Sequence, residues 1–267
     1  MTDLPSTETL ILERDGGWLT VWLNRPAARN ALSAAMADEL AATVAALAGD
    51  PSIRGVTFRG KGDMFCAGGD LKDFGALLRD DVLRADIVEF SRRAGALFHA
   101  VDTLPQVTVM LVHGAAMAGG LGLVCAGDIV IAAADARFAL TETMLGIPPA
   151  QIAPFVVQRA GRAAARRIML TGARFDGGEA LRLGIADQLA DDVAGLEAAE
   201  AAVRAAVRRC APGANAVTKN IVLAAGRLDG AALRDLAADG FAECLLGEEG
   251  REGVAAFLEK RKPRWAV

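Results

Sequence analysis

The window from Val107 to Ala126 is the most apolar part of the chain and restricts its fold more than any other segment. Its length would allow a membrane span, but glycines and His113 interrupt the apolar run. This composition favours a strand, a turn and a helix in succession. Strand-like and helical segments alternate in the same way on both sides of the window, so the pattern predicts an α/β core of about 200 residues.

The flanking segments extend this alternation. Residues 8–26 predict two strands joined by a turn at residues 15–17, and the alanine-rich segment 31–50 predicts a helix capped by Ser33 and ended by Gly49. The apolar face of that helix is formed by Met36, Leu40, Val44 and Leu47. Further strands are expected within residues 52–60, 106–114, 128–133 and 137–140, and further helices near residues 70–74, 81–101 and 119–127. From Gln151 onward the pattern predicts helix after helix, with one apolar stripe formed by Leu196, Val203 and Val207.

Charge and cysteine usage exclude several classes of function. The net charge of −4 disfavours a nucleic-acid partner, because that role needs a basic face. The N-terminus carries early acids and no basic run before an apolar segment, so we expect no signal peptide, no membrane partner and a cytoplasmic location. Four widely spaced cysteines without a Cys-x-x-Cys pair indicate free thiols, and the two histidines lie far from any such pairing, which argues against a metal site.

Three well-known motifs are incomplete in this chain. The segment GVTFRGKG has the spacing of a phosphate loop, but Gly62 stands where the magnesium-binding Ser or Thr is required. The segment GGLGLVCAG follows a strand as a dinucleotide-binding turn does, yet Cys125 replaces the last small residue of that fingerprint. No Gly-x-Ser-x-Gly sequence is present, so a serine hydrolase would lack its nucleophile.

Two segments share the form strand, small-residue turn, helix: FCAGGDLKDF (65–74) and HGAAMAGGLGLVCAG (113–127). Each can present free backbone N–H groups at the start of a helix, where the helix dipole favours negative charge. Two such donors aimed at one point form an oxyanion hole, which stabilises an enolate or a tetrahedral oxyanion derived from a thioester. Ordinary tight turns between packed elements would also explain either segment taken alone.

The chain resembles the enoyl-CoA hydratase/isomerase (crotonase) superfamily over nearly its whole length. The resemblance rests on five segments in order, namely NRPAARNALS (24–33), FCAGGDLKDF (65–74), HGAAMAGGLGLVCAGDIVIAAADARFAL (113–140), TETMLGIPPA (141–150) and GVAAFLEKRKPRW (253–265). It implies an α/β fold: a crotonase-type (ClpP-like) spiral of ββα units over residues 1–194, then a helical trimerisation region over residues 195–267. It also implies a homotrimer or a dimer of trimers.

The resemblance assigns roles to individual residues. Gly69 and Gly119 would supply the two backbone N–H groups that bind the thioester oxygen. It implies no permanently bound cofactor, since coenzyme A arrives as part of the acyl-CoA substrate. The residues expected to bind that substrate are Ala28, Ala67, Gly68, Asp70, Leu71, Gly120, Phe257 and Lys260.

The catalytic acids depart from the pattern of the family. Its hydratases usually place one glutamate three residues after the second oxyanion glycine and another twenty residues further on. Here those positions hold Gly122 and Glu142, so one acid is missing and the other is present. A lone Glu142 could hydrate by giving back the proton it takes from water, or it could serve an isomerase that moves a double bond. A catalytically quiet coenzyme A-binding scaffold is a third reading, although a mere binder has no need of the acid.

The segments GIPPAQIAPFVVQRAG, RRCAPGANAVTK and EKRKPRWA resemble bacterial glutaconyl-CoA hydratases, of the isohexenylglutaconyl-CoA and methylglutaconyl-CoA type. Members of that group are similar in having glycine at the first acid position. The second carboxylate of such a substrate would need a cation or N–H donors. Candidates for that role are Arg79, Arg84, Arg92 and Arg93, although an exposed helix face is the better explanation for most of them.

Four other polar residues near these motifs receive smaller roles. Gln151 could orient water or substrate, or merely begin a helix. His113 is expected to stabilise the turn through a hydrogen bond, and His99 to pack within its helix. Cys66 has no base beside it in the sequence that would make it a nucleophile.

Overall fold

A computed structural model describes residues 3–79 and 81–266 of the chain. Its strands are β1 (Leu10–Asp15), β2 (Trp18–Leu23), β3 (Gly55–Gly60), β4 (Val107–Val112), β5 (Ala115–Met117), β6 (Ile129–Ala133), β7 (Arg137–Ala139), β8 (Arg174–Asp176) and β9 (Gln188–Ala190). The larger sheet has the order β1-β2-β3-β4-β6-β9, and the smaller has the order β5-β7-β8. β1 and β2 are antiparallel, whereas the other neighbours in the larger sheet are parallel.

Ten helices complete the described part of the chain. They are α1 (Ala34–Ala48), α2 (Leu71–Ala76), α3 (Arg84–Asp102), α4 (Gly119–Cys125), α5 (Ala153–Thr171), α6 (Gly177–Arg182), α7 (Val193–Arg208), α8 (Pro212–Ala224), α9 (Gly230–Leu246) and α10 (Glu248–Leu258). Two short 3-10 turns cover Pro26–Ala28 and Glu142–Leu145. No helix among the described residues is long and apolar enough to cross a membrane.

The parallel strands form the centre of the core. In β2, β3 and β4 nearly every residue is buried, as expected for strands covered on both faces. The predicted cap and apolar face of α1 are both confirmed. The Ser33 hydroxyl accepts a hydrogen bond from the Met36 amide at 3.3 Å, and the buried side chains include Met36, Leu40, Val44 and Leu47.

The expectation of helices alone after Gln151 is wrong. β8 pairs antiparallel with β7, and β9 adds a parallel edge to β6. Each of these strands has only three residues, which is too short for an alternating pattern to appear in the sequence. β5 was missed for the same reason, and it lies inside the small-residue stretch after β4. β5, β8 and β9 are defined by pairing with neighbouring strands, which local sequence does not encode.

The C-terminal helices differ in how they are attached to the core. The stripe of Leu196, Val203 and Val207 is buried on α7, which packs on β4, β6 and β9. The predicted boundary between residues 194 and 195 lies near the start of this helix, and the division of the chain there stays a prediction. α9, in contrast, contains no buried residue.

The expectation for His99 is also wrong, because its side chain is exposed. The buried residues of α3 are Leu97, Phe98 and Val101, so His99 lies outside the buried face of this helix. His113 behaves as predicted. One nitrogen of its ring is 2.8 Å from the Gly62 carbonyl oxygen, a hydrogen bond that ties the end of β4 to the loop after β3.

Candidate active site

The first glycine turn is held by backbone pairing that leaves one amide free. Gly69 forms an isolated parallel bridge with Leu32. The two hydrogen bonds of this bridge use the neighbours of Gly69, since the Leu32 amide donates to the Gly68 carbonyl and the Asp70 amide donates to the Leu32 carbonyl. Among the described residues, the Gly69 N–H therefore has no acceptor.

The second turn is positioned by the smaller sheet. The Ala118 amide, directly after β5, donates to the Ala139 carbonyl at 2.8 Å. Ala118 has φ 50° and ψ −123°, a conformation that costs a residue with a side chain about 1–3 kcal/mol. At Ala118 the chain turns sharply from β5 into α4. Gly119 is the first residue of that helix. In the described part of the chain this N–H also lacks an acceptor.

The two turns touch each other. Cys66 and Ala116 form a parallel bridge that joins the two segments just before their glycines. Gly68 has φ +99°, and a Cβ atom there would lie 2.7 Å from the Cβ of Ala118, so only glycine allows this approach. A Cβ atom on Gly119 would lie 3.6 Å from the amide nitrogen of Gly69. The residues with free N–H groups are thus close neighbours, and both are partly exposed.

Glu142 lies in the 3-10 turn that follows β7, three residues after the carbonyl that holds Ala118. Its side chain is half-buried. The Oε2 atom is shielded from solvent and has no hydrogen-bond partner among the described residues. Burial raises the pKa of this carboxyl above its usual value, and a hydrogen bond from its own backbone N–H offsets the rise in part. A raised pKa, together with an Oε2 atom that has no partner among the described residues, suits this carboxyl to accept and return a proton.

Gly122, the position of the missing acid, is closed. It is buried in α4, and a Cβ atom on it would collide with Cγ2 of Ile152 and lie 2.6 Å from the Cβ of Ile152. Ile152 itself is only 5% exposed. An apolar side chain, which the local sequence did not reveal, therefore occupies the space that any side chain at position 122 would enter.

Several residues expected to bind substrate lie around the two turns. Ala28 ends a 3-10 turn, and the next residue, Arg29, accepts a hydrogen bond from the Ala67 amide at 3.0 Å. Ala28 and Ala67 are thereby held near each other and are both partly exposed. Gly120 is buried, and a Cβ atom on it would lie 2.8 Å from the Cβ of Cys66. Gly120 therefore serves the packing of the two turns.

Asp70 and Leu71 begin α2 and differ in their surroundings. The Asp70 carboxylate accepts a hydrogen bond from the Lys72 amide as N-cap and pairs with Arg25 at 3.0 Å. The Lys72 amide and the Arg25 guanidinium lower the pKa of this carboxyl, although burial opposes them. Leu71 is 68% exposed and is the more available for a ligand.

The segment NRPAARNALS owes its fold to Asn30. This side chain is fully buried and has φ 53°. Its oxygen accepts a hydrogen bond from the Arg25 amide, and its nitrogen donates to the carbonyls of Lys61 and Met64. Asn30 thus anchors the first loop to the chain that leads into the first glycine turn.

The remaining candidates lie apart from the turns or have other partners. Phe257 is exposed near the end of α10 and Lys260 is exposed just after it, and this helix packs mainly on α9. Arg93 pairs with Asp38, and Arg79 lies 3.8 Å from Asp81. All four arginines are exposed, and Arg84, Arg92 and Arg93 lie on α3. Arg79 was expected on a helix as well, but it lies between α2 and α3 because α2 ends at Ala76.

Gln151 and Cys66 both act as contacts between elements. The Gln151 side chain donates to the Ser91 hydroxyl of α3 at 3.1 Å, which joins the start of α5 to that helix. Cys66 is buried, and burial raises the pKa of its thiol to about 12, so it stays protonated and is not a nucleophile at neutral pH.

Known proteins resemble this chain in sequence and in fold. The family model for enoyl-CoA hydratase/isomerase matches residues 13–267. The chain belongs to this family. Its helices and mixed sheet are those of the crotonase fold, as predicted.

Solved structures and a curated relative cover nearly the whole chain. Pseudomonas aeruginosa AtuE is 50% identical, with a TM-score of 0.94 over 97% of this chain and 100% of that one. An enoyl-CoA hydratase/isomerase from Marinobacter aquaeolei is 42% identical, with a TM-score of 0.93 over 97% and 99% of the two chains. The human mitochondrial enoyl-CoA hydratase domain-containing protein 2 is 32% identical over 94% of this chain and 86% of its own length.

Sequence reasoning missed two residues of the candidate site. Ile152 carries no local signal, because an isoleucine at the start of a helix is an ordinary core residue. Ala118 adopts a positive φ that glycine would normally supply, so its position in the turn was hidden by its identity.

Proposed function

We propose that the chain is an acyl-CoA hydratase, a hydro-lyase that adds water across the 2,3-double bond of an enoyl-CoA thioester. The amides of Gly69 and Gly119 form its oxyanion hole, and Glu142 is its only acid/base. The observation that carries the proposal is the junction of the two glycine turns. There, two neighbouring residues have N–H groups without acceptors among the described residues, and the Ala118–Ala139 hydrogen bond ties this junction to the strand that leads to Glu142.

The reaction balances with one carboxylate. Glu142 takes a proton from water while the water oxygen bonds to C3 of the enoyl group. The π electrons of the C2–C3 bond move into the thioester, and the resulting enolate oxygen accepts hydrogen bonds from Gly69 and Gly119. The neutral Glu142 then returns its proton to C2. Water is added with no net proton change, and Glu142 ends as it began.

The environment of Glu142 supports this double duty. A general base works best when its pKa lies near the working pH, and so does a general acid. Burial raises the pKa of the Glu142 carboxyl toward that range. No protein donor among the described residues binds the Oε2 atom, so no hydrogen bond holds its charged form through this oxygen.

The proposed substrate class is a branched glutaconyl-CoA. It rests on glycine at position 122 and on three segments that resemble glutaconyl-CoA hydratases, namely residues 146–161, 208–219 and 259–266. The second carboxylate of such a substrate would need a cation. Arg84 and Arg92 are exposed, and neither has an ion pair among the described residues, so they are the preferred partners for it.

The proposal includes an assembly of three chains or of two trimers in the cytoplasm. α9 has no buried residue, although Phe241 and Leu246 on it are each 67% exposed. Phe257 on α10 is 84% exposed. Apolar surface on helices at the end of the chain supports burial against other copies. In such an assembly, Phe257 and Lys260 would reach the coenzyme A of a neighbouring subunit. All four cysteines are free, which is consistent with a reducing compartment.

The activity is tested by incubating the purified protein with crotonyl-CoA, 3-methylglutaconyl-CoA and isohexenylglutaconyl-CoA. Loss of the conjugated thioester absorbance measures hydration. We expect turnover with a glutaconyl thioester to exceed turnover with crotonyl-CoA. Equal rates for all three would contradict the substrate class but leave the hydratase reaction intact.

An isomerase is the second candidate, because the closed Gly122 leaves one acid and a proton shuttle needs only one. The same assay separates the two functions if a 3-enoyl-CoA is included. Conversion of the 3-enoyl to the 2-enoyl thioester, with no hydration of any 2-enoyl substrate, would replace the hydratase proposal with the isomerase.

A further inference from the structure

Two consecutive side chains, those of Gln151 and Ile152, pack against glycines on two neighbouring helices. A Cβ atom on Gly95 of α3 would collide with the Gln151 amide oxygen and lie 2.8 Å from its Cδ. A Cβ atom on Gly122 of α4 would collide with Ile152 in the same way. Both glycines must therefore lack a side chain for the segment before α5 to lie where it does.

This segment is fixed on several sides. Gln151 donates a hydrogen bond to Ser91, one turn before Gly95 on α3. Ile152 is the N-cap residue of α5, and its carbonyl accepts from the Val156 amide at 3.2 Å. Its side chain belongs to the main apolar core. Ile152 cannot swing away from Gly122 without disturbing both helix packing and the start of α5.

We propose that Ile152 is the specificity-determining residue that makes this a one-carboxylate site. Its side chain fills the place of the first acid and covers Gly122 with an apolar wall. The inference rests on the function proposed above and extends it, because it assigns the absence of a second acid to a steric partner thirty residues away and not to Gly122 alone.

The physical consequence concerns water as well as acid. An apolar side chain offers no hydrogen bond to a water molecule or to a carboxylate, so neither is stable at this wall. A second carboxylate beside Glu142 would also raise the pKa of one member of the pair. With Ile152 in place, Glu142 alone binds the reacting water and alone exchanges its proton.

Thermal unfolding tests the steric part of the proposal. Gly122→Glu with Ile152 intact should lower Tm by about 5 °C or more, because the added side chain has no space. Ile152→Ala alone should also lower Tm, since it leaves a cavity. The double variant Gly122→Glu/Ile152→Ala should have a Tm well above the value that the two separate losses predict. Additive losses, or a Gly122→Glu protein as stable as the parent, would overturn the proposal.

The chemical part is tested by a matched pair, Gly122→Glu/Ile152→Ala and Gly122→Gln/Ile152→Ala. The two differ by one ionisable group and have nearly equal volume. The parent and the Gln variant should show one ionisation in the acid limb of kcat/KM against pH, and the Glu variant should show a second. A purely structural role for Ile152 would give the matched pair identical profiles, and that result overturns the proposal.

Failure of this inference is distinguishable from failure of the proposed function. If the parent enzyme hydrates no thioester, the function fails and the role of Ile152 in it fails as well. If the parent hydrates but the matched pair has identical profiles, the function stands and the role of Ile152 is refuted.

Discussion

Gly119 and Gly122 lie one turn apart on the same short helix, yet they are glycines for different reasons. A Cβ atom on Gly119 would have no neighbour closer than 3.4 Å, the distance to Cδ1 of Leu32. A Cβ atom on Gly122 would run into Ile152. The beginning of α4 is thus open toward a ligand, and its middle is sealed by the core. The comparison teaches that a glycine-rich helix can combine a binding site and a packing surface within one turn.

The largest effect should come from Glu142, the proposed acid/base. Glu142→Gln keeps the shape but cannot take or return a proton, so kcat should fall about 10²–10⁴-fold. The measurement is the rate of hydration of the best thioester from the assay above. Retention of full activity would show that the acid/base is another group.

A matched control for that variant is Glu197→Gln on α7. Glu197 is 59% exposed and lies 3.8 Å from Arg59, a surface pair that contributes little. We expect unchanged kcat and nearly unchanged stability. A similar loss in both variants would indicate a general effect of removing a negative charge.

The second-largest effect should distinguish Gly119 from Gly122. Gly119→Ala should fold normally, because φ at this position is not positive and no atom lies within 3.4 Å of the new methyl group. The methyl group would stand beside the proposed oxyanion position and displace the thioester, which should lower kcat/KM about 10²-fold. Gly122→Ala should do the reverse, with a marked loss of Tm. If both variants lost stability alike, the distinction between an open and a sealed part of α4 would be wrong.

The third effect is a pH dependence that belongs to Glu142. Burial raises its pKa above the usual value of 4.5. Because the carboxylate is the active form, kcat/KM should rise with pH through this raised pKa, about tenfold per pH unit below it. An acid limb centred at or below 4.5 would contradict the burial of this group.

The contribution of Glu142 to stability should fall as pH rises, whereas its contribution to kcat/KM rises. The buried neutral carboxyl is favoured in the folded state, so its contribution is fully present below 4.5 and is lost as pH rises through the folded pKa. The free energy of unfolding of Glu142→Gln relative to the parent should therefore increase across this window. Denaturant unfolding at several pH values measures it.

The smallest effect should come from shortening the Ile152 side chain that covers Gly122. Ile152→Val removes one methylene group and should cost about 0.5–1.5 kcal/mol in the free energy of unfolding, with little change in kcat. Val157 on α5, which packs against the edge of the core, provides a comparison through Val157→Ala. A large loss of kcat in Ile152→Val without loss of stability would mean that Ile152 contacts the substrate itself.

Sequence patterns predicted the elements that are long enough to carry a period. The N-terminal hairpin, α1 with its Ser33 cap, α3 and the strands β3, β4 and β6 were all expected where they occur. The strands β5, β8 and β9 were not, because three residues have no recognisable alternation and are defined by their partners. His99 was misplaced because a helical face in a sequence is uncertain by one position.

The sequence by itself determined the family, the order of its motifs, the presence of Glu142 and the absence of an acid at position 122. These depend only on which residues occur and at what spacing. Tertiary structure alone decided that Gly69 and Gly119, whose amides have no acceptor among the described residues, are neighbours, and that a side chain on Gly122 would collide with Ile152. It also decided that Glu142 is half-buried, with an Oε2 atom that has no partner among the described residues. The two contacts join residues 50 and 30 positions apart in the chain, and local sequence patterns contain no information about such contacts.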